Sequence, residues 1–156
     1  MNRRIGIGLA VLTVAAIFTI VQGSFSQPTP QATRKVIKLA GGPVQAPFSD
    51  GILTGNTLYL AGRIGIDPKT GKVPEKIEDE IKLLLDSEKE VLAQAGMTMD
   101  DLVYVQVSCT DLSLFGQFNS IYKTYFTKDY PAREFVGAGS LLIGGHFELQ
   151  AIAVKH

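Results

Sequence analysis

Between Ile77 and Cys109 the hydrophobic period of the chain changes, and this change limits the fold classes open to it more than any other feature. Ile77, Ile81, Leu84, Leu85, Val91, Leu92 and Ala95 recur at three- and four-residue spacing, which lines one face of an α-helix. Glu78, Asp79 and Glu80 fall in its first turns, where negative charge suits the positive end of the helix dipole, and Gly96 supplies a stop. Val103, Val105, Val107 and Cys109 then alternate with Tyr104, Gln106 and Ser108, the period of a half-buried strand. A one-sided helix and a one-sided strand each need a partner for the apolar face. The economical solution is an α+β domain with helices packed on one face of a mixed sheet.

The remaining segments fit that frame. Val36 to Leu39 reads as a short strand, broken by Gly41-Gly42-Pro43. Ile52-Leu53-Thr54 and Thr57 to Ala61 read as a hairpin across Gly55-Asn56, residues that tolerate positive φ. Asp67-Pro68-Lys69-Thr70-Gly71 is a turn in which Asp opens, Pro fixes φ and Gly closes. A second helix starts near Asp111 or Ser113, either of which can cap it. Phe115, Phe118, Ile121, Tyr122, Tyr125 and Phe126 form its apolar stripe, a pattern that is usually core. Tyr130-Pro131 ends the helical region, and Phe135 to Gly139 and His146 to Val154 read as the last strands. The uncharged alternation of the strands points to an oligomer interface on the other sheet face.

At 156 residues, 46% of them apolar, the chain is long enough for one domain with a substantial core. Fifteen basic and fifteen acidic residues balance, without a basic stripe to hold nucleic acid. Cys109 is the single cysteine, so no intrachain disulfide forms. The start has its own character. Met1-Asn2-Arg3-Arg4 is positive, and Ile5 to Val21 is an uncharged apolar run, as a helix about 25 Å long and short for a hydrocarbon core of roughly 30 Å. Ser24 and Ser26 suit cleavage after Ser26, with Gly23 a second candidate. Residues 1–26 therefore read as a secretory signal peptide, or as an N-terminal anchor if uncut. Residues 27–35, with two prolines, read as a linker, and residues 36–156 as the domain. That address is exported, periplasmic or secreted, with membrane contact only through the N-terminal segment.

Few residues suggest chemistry. His146 and His156 have no metal-ligand spacing. Gly62-Arg63-Ile64-Gly65 lacks the lysine and length of a phosphate loop, and no G-x-S-x-G motif occurs. Cys109 lies on an apolar strand face, where a thiol is packing rather than nucleophile. Arg133 and Glu148 remain. A guanidinium fork matches a carboxylate, and a glutamate between Phe147 and Leu149 faces the other way, with His146 and Gln150. Spacing alone leaves three readings open: a reactive pair, an ion pair, or two solvated charges.

Longer motifs add to this. Leu58-Tyr59-Leu60-Ala61-Gly62-Arg63-Ile64-Gly65-Ile66-Asp67-Pro68-Lys69-Thr70-Gly71 resembles the stretch Y-x-S-G-Q-I-x-x-D-P-x-T-G of the RidA/YjgF family. Ala46-Pro47-Phe48-Ser49, Phe118-Asn119-Ser120-Ile121-Tyr122, Tyr130-Pro131-Ala132-Arg133 and Phe147 to Ala153 resemble its G-P-Y-S, V-N-x-x-Y, P-A-R-S/T and I-E-I-E-A-I-A segments, in order. The resemblance implies a chorismate-mutase-like fold, a six-stranded mixed sheet with two helices on one face, and a homotrimer with clefts between subunits. It implies that Arg133 clamps a substrate carboxylate and Glu148 positions the attacking water, with Gly62, Asn119, Phe48 and Ser49 around the substrate. The implied reaction hydrolyses 2-aminoacrylate-like enamines and imines to 2-keto acids and ammonia, with no metal or organic cofactor. The sequence departs from the pattern at Glu134, Phe48, Arg63, Gln150 and Leu141-Leu142. A carboxylate at Glu134 could compete for the Arg133 guanidinium. Those departures, with export away from the usual sources of 2-aminoacrylate, leave a competing reading: a non-catalytic module that binds a small carboxylate in the intersubunit cleft. RNA cleavage, ascribed to some relatives, fits poorly with zero net charge.

Overall fold

The structure, a computed structural model, describes residues 33–40 and 46–156. The readings of residues 1–26 as signal or anchor, most of the linker and the Gly41-Gly42-Pro43 break lie outside the described residues. Six strands, β1 (Arg34–Ile37), β2 (Gly51–Thr54), β3 (Thr57–Ile64), β4 (Leu102–Cys109), β5 (Ala132–Gly137) and β6 (Phe147–Val154), form one sheet in the order β1-β2-β3-β6-β4-β5. Every pairing is antiparallel except that of β4 with β5. Two helices, α1 (Ile77–Gln94) and α2 (Phe115–Tyr122), complete the α+β frame.

The hairpin and the turn form as their residues dictate. Gly55 takes φ 58° between β2 and β3. Asp67 accepts from Gly71 N at 2.8 Å through its carbonyl and from Lys69 N at 2.8 Å through its side chain, and Gly71 takes φ 68°. The helix face of the sheet carries Leu58, Leu60, Val105, Val107, Cys109, Phe147, Leu149, Ala151 and Ala153, all buried beneath Ile81, Leu84, Leu85, Val91, Leu92 and Phe118. Polar side chains populate the open face, where Gln150 donates to Gln106 at 3.0 Å.

Several element boundaries and one register differ from the sequence reading. The first strand begins at Arg34, inside the expected linker, because Arg34 and Lys35 pair with Thr54 and Leu53. Val103 does not join the inward row. A register shift between Leu102 and Tyr104 against β6 puts Leu102 inside and leaves Val103 39% exposed. The second helical region starts at Asp111, whose side chain accepts from Ser113 N, but it is α-helical only over Phe115–Tyr122, with 3-10 turns on either side. The fifth strand starts directly after Pro131 and ends at Gly137, and the sixth starts at Phe147.

Two acids on α1 are buried. Glu80 serves the fold as a buried hydrogen-bond acceptor rather than as an exposed charge on the helix dipole, and Glu88 is fully buried among the apolar residues. Neither Glu88 oxygen has a hydrogen-bond partner, and burial pushes its pKa up to about 8; the nearby Arg63 charge opposes the shift and Asp50 adds to it. Between the ordinary glutamate pKa and about 8 the folded chain holds a proton that the unfolded chain releases, so stability falls as pH rises through that window. Denaturant unfolding from pH 5 to 9 is expected to show a decline of roughly 2 kcal/mol, less than the full linkage value because water reaches an ionised buried group. Glu88→Gln should flatten that decline, and an unchanged slope in the variant would exclude Glu88 as its source.

Candidate active site

Arg133 sits on β5, an edge strand, and its Cα pairs with that of Val105, whose side chain faces the helices. The Arg133 guanidinium lies 4.6 Å from the Tyr122 ring centroid, and 5.8, 5.9 and 5.7 Å from those of Phe115, Phe118 and Phe135. The expected aromatic stripe of α2 is therefore core on one side and a cradle for a cation on the other. Arg133 Nη2 donates to Asn119 Oδ1 at 2.6 Å, so strand and helix fix the fork between them. Burial pushes the Tyr122 phenol up to about 12, with the Arg133 charge opposing, so Tyr122 is neutral at any physiological pH. Asn119, Tyr122, Lys123, Tyr130, Pro131 and Arg133 line a groove of about 440 Å³.

Glu148 is on the open face. Its strand neighbours Phe147 and Leu149 are buried on the helix side, and it pairs laterally with Ser108 and Ile64. The β3–β6 register shifts between Leu60 and Arg63, and within that irregularity Gly62 meets the Glu148 carboxyl group. A Cβ on Gly62 would run into Glu148 Oε1 and lie 3.2 Å from Cδ. The absence of a side chain at residue 62 is what lets the carboxyl lie flat against the strand. Gly62→Ala is expected to keep the fold, because the obstructed group is the end of a flexible side chain. It should displace the carboxylate and lower any Glu148-dependent activity about tenfold, the lower range for one positioned group. An alanine variant with wild-type turnover and melting temperature would separate Glu148 from the chemistry.

One chain does not bring Arg133 and Glu148 together. They occupy opposite faces of the sheet, and neither belongs to an ion pair among the described residues. This removes the ion-pair reading: both side chains obey the strand alternation, and their parity differs. Glu134 does not compete for Arg133 either. It follows on the other face and accepts from Tyr104 OH at 3.1 Å. Arg63 is not a stray charge near Gly62, because its guanidinium pairs with Asp50 Oδ1 and its side chain is 16% exposed. Asp50 Oδ2 also accepts from Leu39 N at 2.7 Å, which ties the segment before β2 to the end of β1. On that segment Phe48 is 56% exposed and Ser49 half-buried.

His146 meets a buried partner that the sequence reading missed. Its Nδ1 lies 2.7 Å from Glu80 Oε2, while Glu80 Oε1 accepts from His146 N at 2.7 Å and Phe147 N at 3.1 Å. Glu80 thereby holds the start of the strand that carries Glu148. Cys109 is buried, and burial raises its thiol pKa, as suits packing. Tyr122, Lys123 and Tyr130 were also missed as groove residues. The signal available for Lys123 was its place one helical turn after Asn119. No group of three or more metal-ligating side chains gathers among the described residues.

This arrangement of strand motifs, sheet order and helices is matched elsewhere. The family model described as Endoribonuclease L-PSP matches residues 42–155. The chain belongs to the RidA/YjgF family. Among its RidA/YjgF relatives, the 2-iminobutanoate/2-iminopropanoate deaminase of Bos taurus is 36% identical over 124 residues, covering 78% of this chain and 90% of that one. The crystal structure of RidA from the Antarctic bacterium Psychrobacter sp. PAMC 21119 aligns with TM-score 0.72 at 30% identity, over 78% of this chain and 99% of that one. E. coli TdcF, solved with bound serine, aligns with TM-score 0.73 at 30% identity, over 78% and 99% of the two chains. The six-stranded mixed sheet with two helices is thus the family's fold.

Proposed function

We propose that this chain hydrolyses small enamine/imine carboxylic acids to 2-keto acids and ammonia, at clefts completed by a second copy of itself. The observation that carries the reading is the Arg133 guanidinium, fixed by Asn119 at 2.6 Å on the rim of an open groove. A pre-oriented fork recognises a carboxylate at low entropic cost. The names of relatives support the reaction class, since several curated relatives are 2-iminobutanoate/2-iminopropanoate deaminases, and TdcF holds a small amino acid.

In this reading the substrate's carboxylate sits on Arg133 and its enamine tautomerises to the imine. The imine carbon is already electrophilic. Glu148, from the other subunit, orients a water and accepts its proton as the oxygen attacks that carbon, which becomes a tetrahedral amino alcohol. Protonation of the nitrogen and cleavage of the C–N bond release ammonia and leave the keto acid. No redox step occurs.

Opposite sheet faces make the oligomer part of the proposal, with a homotrimer the arrangement the family resemblance implies. Mixing denatured Arg133→Ala and Glu148→Gln chains and refolding them together tests it. Sites built from two subunits should recover up to about a quarter of wild-type activity, because random assembly pairs an intact Arg133 with an intact Glu148 across some interfaces. Two variants that stay inactive after mixed refolding into a native-sized oligomer would overturn the intersubunit site. Residues 1–26 are proposed to direct export. A mature chain starting at Gln27, read by intact mass, is the expected outcome.

A further inference from the structure

We propose that the Arg133 groove selects dianionic substrates, 2-imino acids that carry a second carboxylate, with Lys123 as the residue that holds it. This rests on the reading that Arg133 binds the first carboxylate. Lys123 continues the helical geometry of α2, with φ −59° and ψ −24°. It therefore stands one turn beyond Asn119, with the Cβ atoms about 5–6 Å apart. Asn119 in turn holds Arg133, so the ammonium and the guanidinium share one rim.

Within one chain the charge balance of the groove is one-sided. Lys123 and Arg133 line it, and no acidic side chain of that chain does. The ion pairs among the described residues are Arg63–Asp50 and His146–Glu80, and neither engages Lys123. Glu134 is turned to the opposite face on Tyr104, and Glu78 accepts from Gln117. Asp100 accepts from Thr127 N and Lys128 N, and neither it nor Lys128 or Asp129 lines the groove. Glu148 of the second copy is committed to the water in the proposed mechanism and Arg133 to the first carboxylate, so Lys123 is the cation left for a second carboxylate, which favours an anion of charge two over one of charge one. The volume, about 440 Å³, lies in the range of sites that take whole metabolites, and Tyr122, Tyr130 and Pro131 offer apolar walls for the methylenes between two carboxylates.

Stable 2-oxo acids serve as probes, measured by calorimetry on the full chain. 2-Oxoglutarate and 2-oxopentanoate share a five-carbon backbone and differ in the terminal carboxylate. The expected wild-type preference is about three- to tenfold for 2-oxoglutarate at low salt, modest because Lys123 is solvent-exposed, and it should shrink as salt rises. Lys123→Gln should bring the two affinities within about twofold by weakening the dicarboxylate, and Lys123→Glu should reverse the order. Equal wild-type affinities, or a preference that survives Lys123→Gln, would overturn the proposal while leaving the Arg133 clamp intact. Failure of both acids to bind, or binding indifferent to Arg133→Ala, would remove the clamp and the proposal with it.

Discussion

Arg133→Ala and Glu148→Gln are each expected to lower kcat/KM for freshly generated 2-iminobutanoate by ten- to hundredfold, the scale of one positioned catalytic group. The two losses should differ in kind. In the proposed mechanism Arg133 holds the ground state as well as the transition state, so its removal should raise KM more than it lowers kcat. In that mechanism Glu148 orients the reacting water, so its neutral isostere should lower kcat with little change in KM. Arg133→Lys separates charge from geometry. A lysine keeps the charge but not the planar fork stacked on Tyr122 and bonded to Asn119, and so should recover only a minor part of the lost activity. Melting curves are needed alongside, because Arg133 also fills an aromatic cradle of four rings. Wild-type turnover in both Arg133→Ala and Glu148→Gln would sink the catalytic assignment.

Glu80→Ala is expected to destabilise the fold by about 3–5 kcal/mol, the range for stripping a fully buried charged group from its partners. Its carboxylate accepts from two consecutive backbone N–H groups, His146 and Phe147, and contacts His146 Nδ1; Glu80 itself is sealed from solvent, while the His146 side chain is 40% exposed. Alanine leaves both N–H groups orphaned and a cavity at the N-terminal end of α1. Glu80→Gln keeps one acceptor oxygen and should cost less than half as much. The backbone there has no slack, since a Cβ on Gly65 would collide with the Glu80 carbonyl. Urea unfolding distinguishes the outcomes, and an alanine variant within about 1 kcal/mol of wild type would show that the contact is dispensable. Because Glu148 lies two residues beyond His146, the alanine variant should also lose activity before it loses global structure.

Much of this was legible along the chain because it is local. The change from helical to strand period marked α1 and β4, Gly55 and Gly71 marked turns that need positive φ, and ordered motifs marked the family. Strand alternation alone placed Glu148 opposite Phe147 and Leu149. The same rule applied to β5 needed one more fact, which strand it pairs with and in what register, and that is not a local property. Only the Val105–Arg133 and Ser108–Glu148 pairings reveal that the two residues point to opposite sides. The register shift at Leu102, the hydrogen bond of Tyr104 to Glu134, the pairing of Arg63 with Asp50, and the burial of Glu80 and Glu88 share that origin. The elements and the candidate site residues could be read locally, since periodicity, turn chemistry and propensity act within a few residues. Tertiary structure decided which polar groups meet a partner and which remain open, since that depends on whatever packs against them, here across 13 residues for Arg63 and Asp50 and 66 for His146 and Glu80.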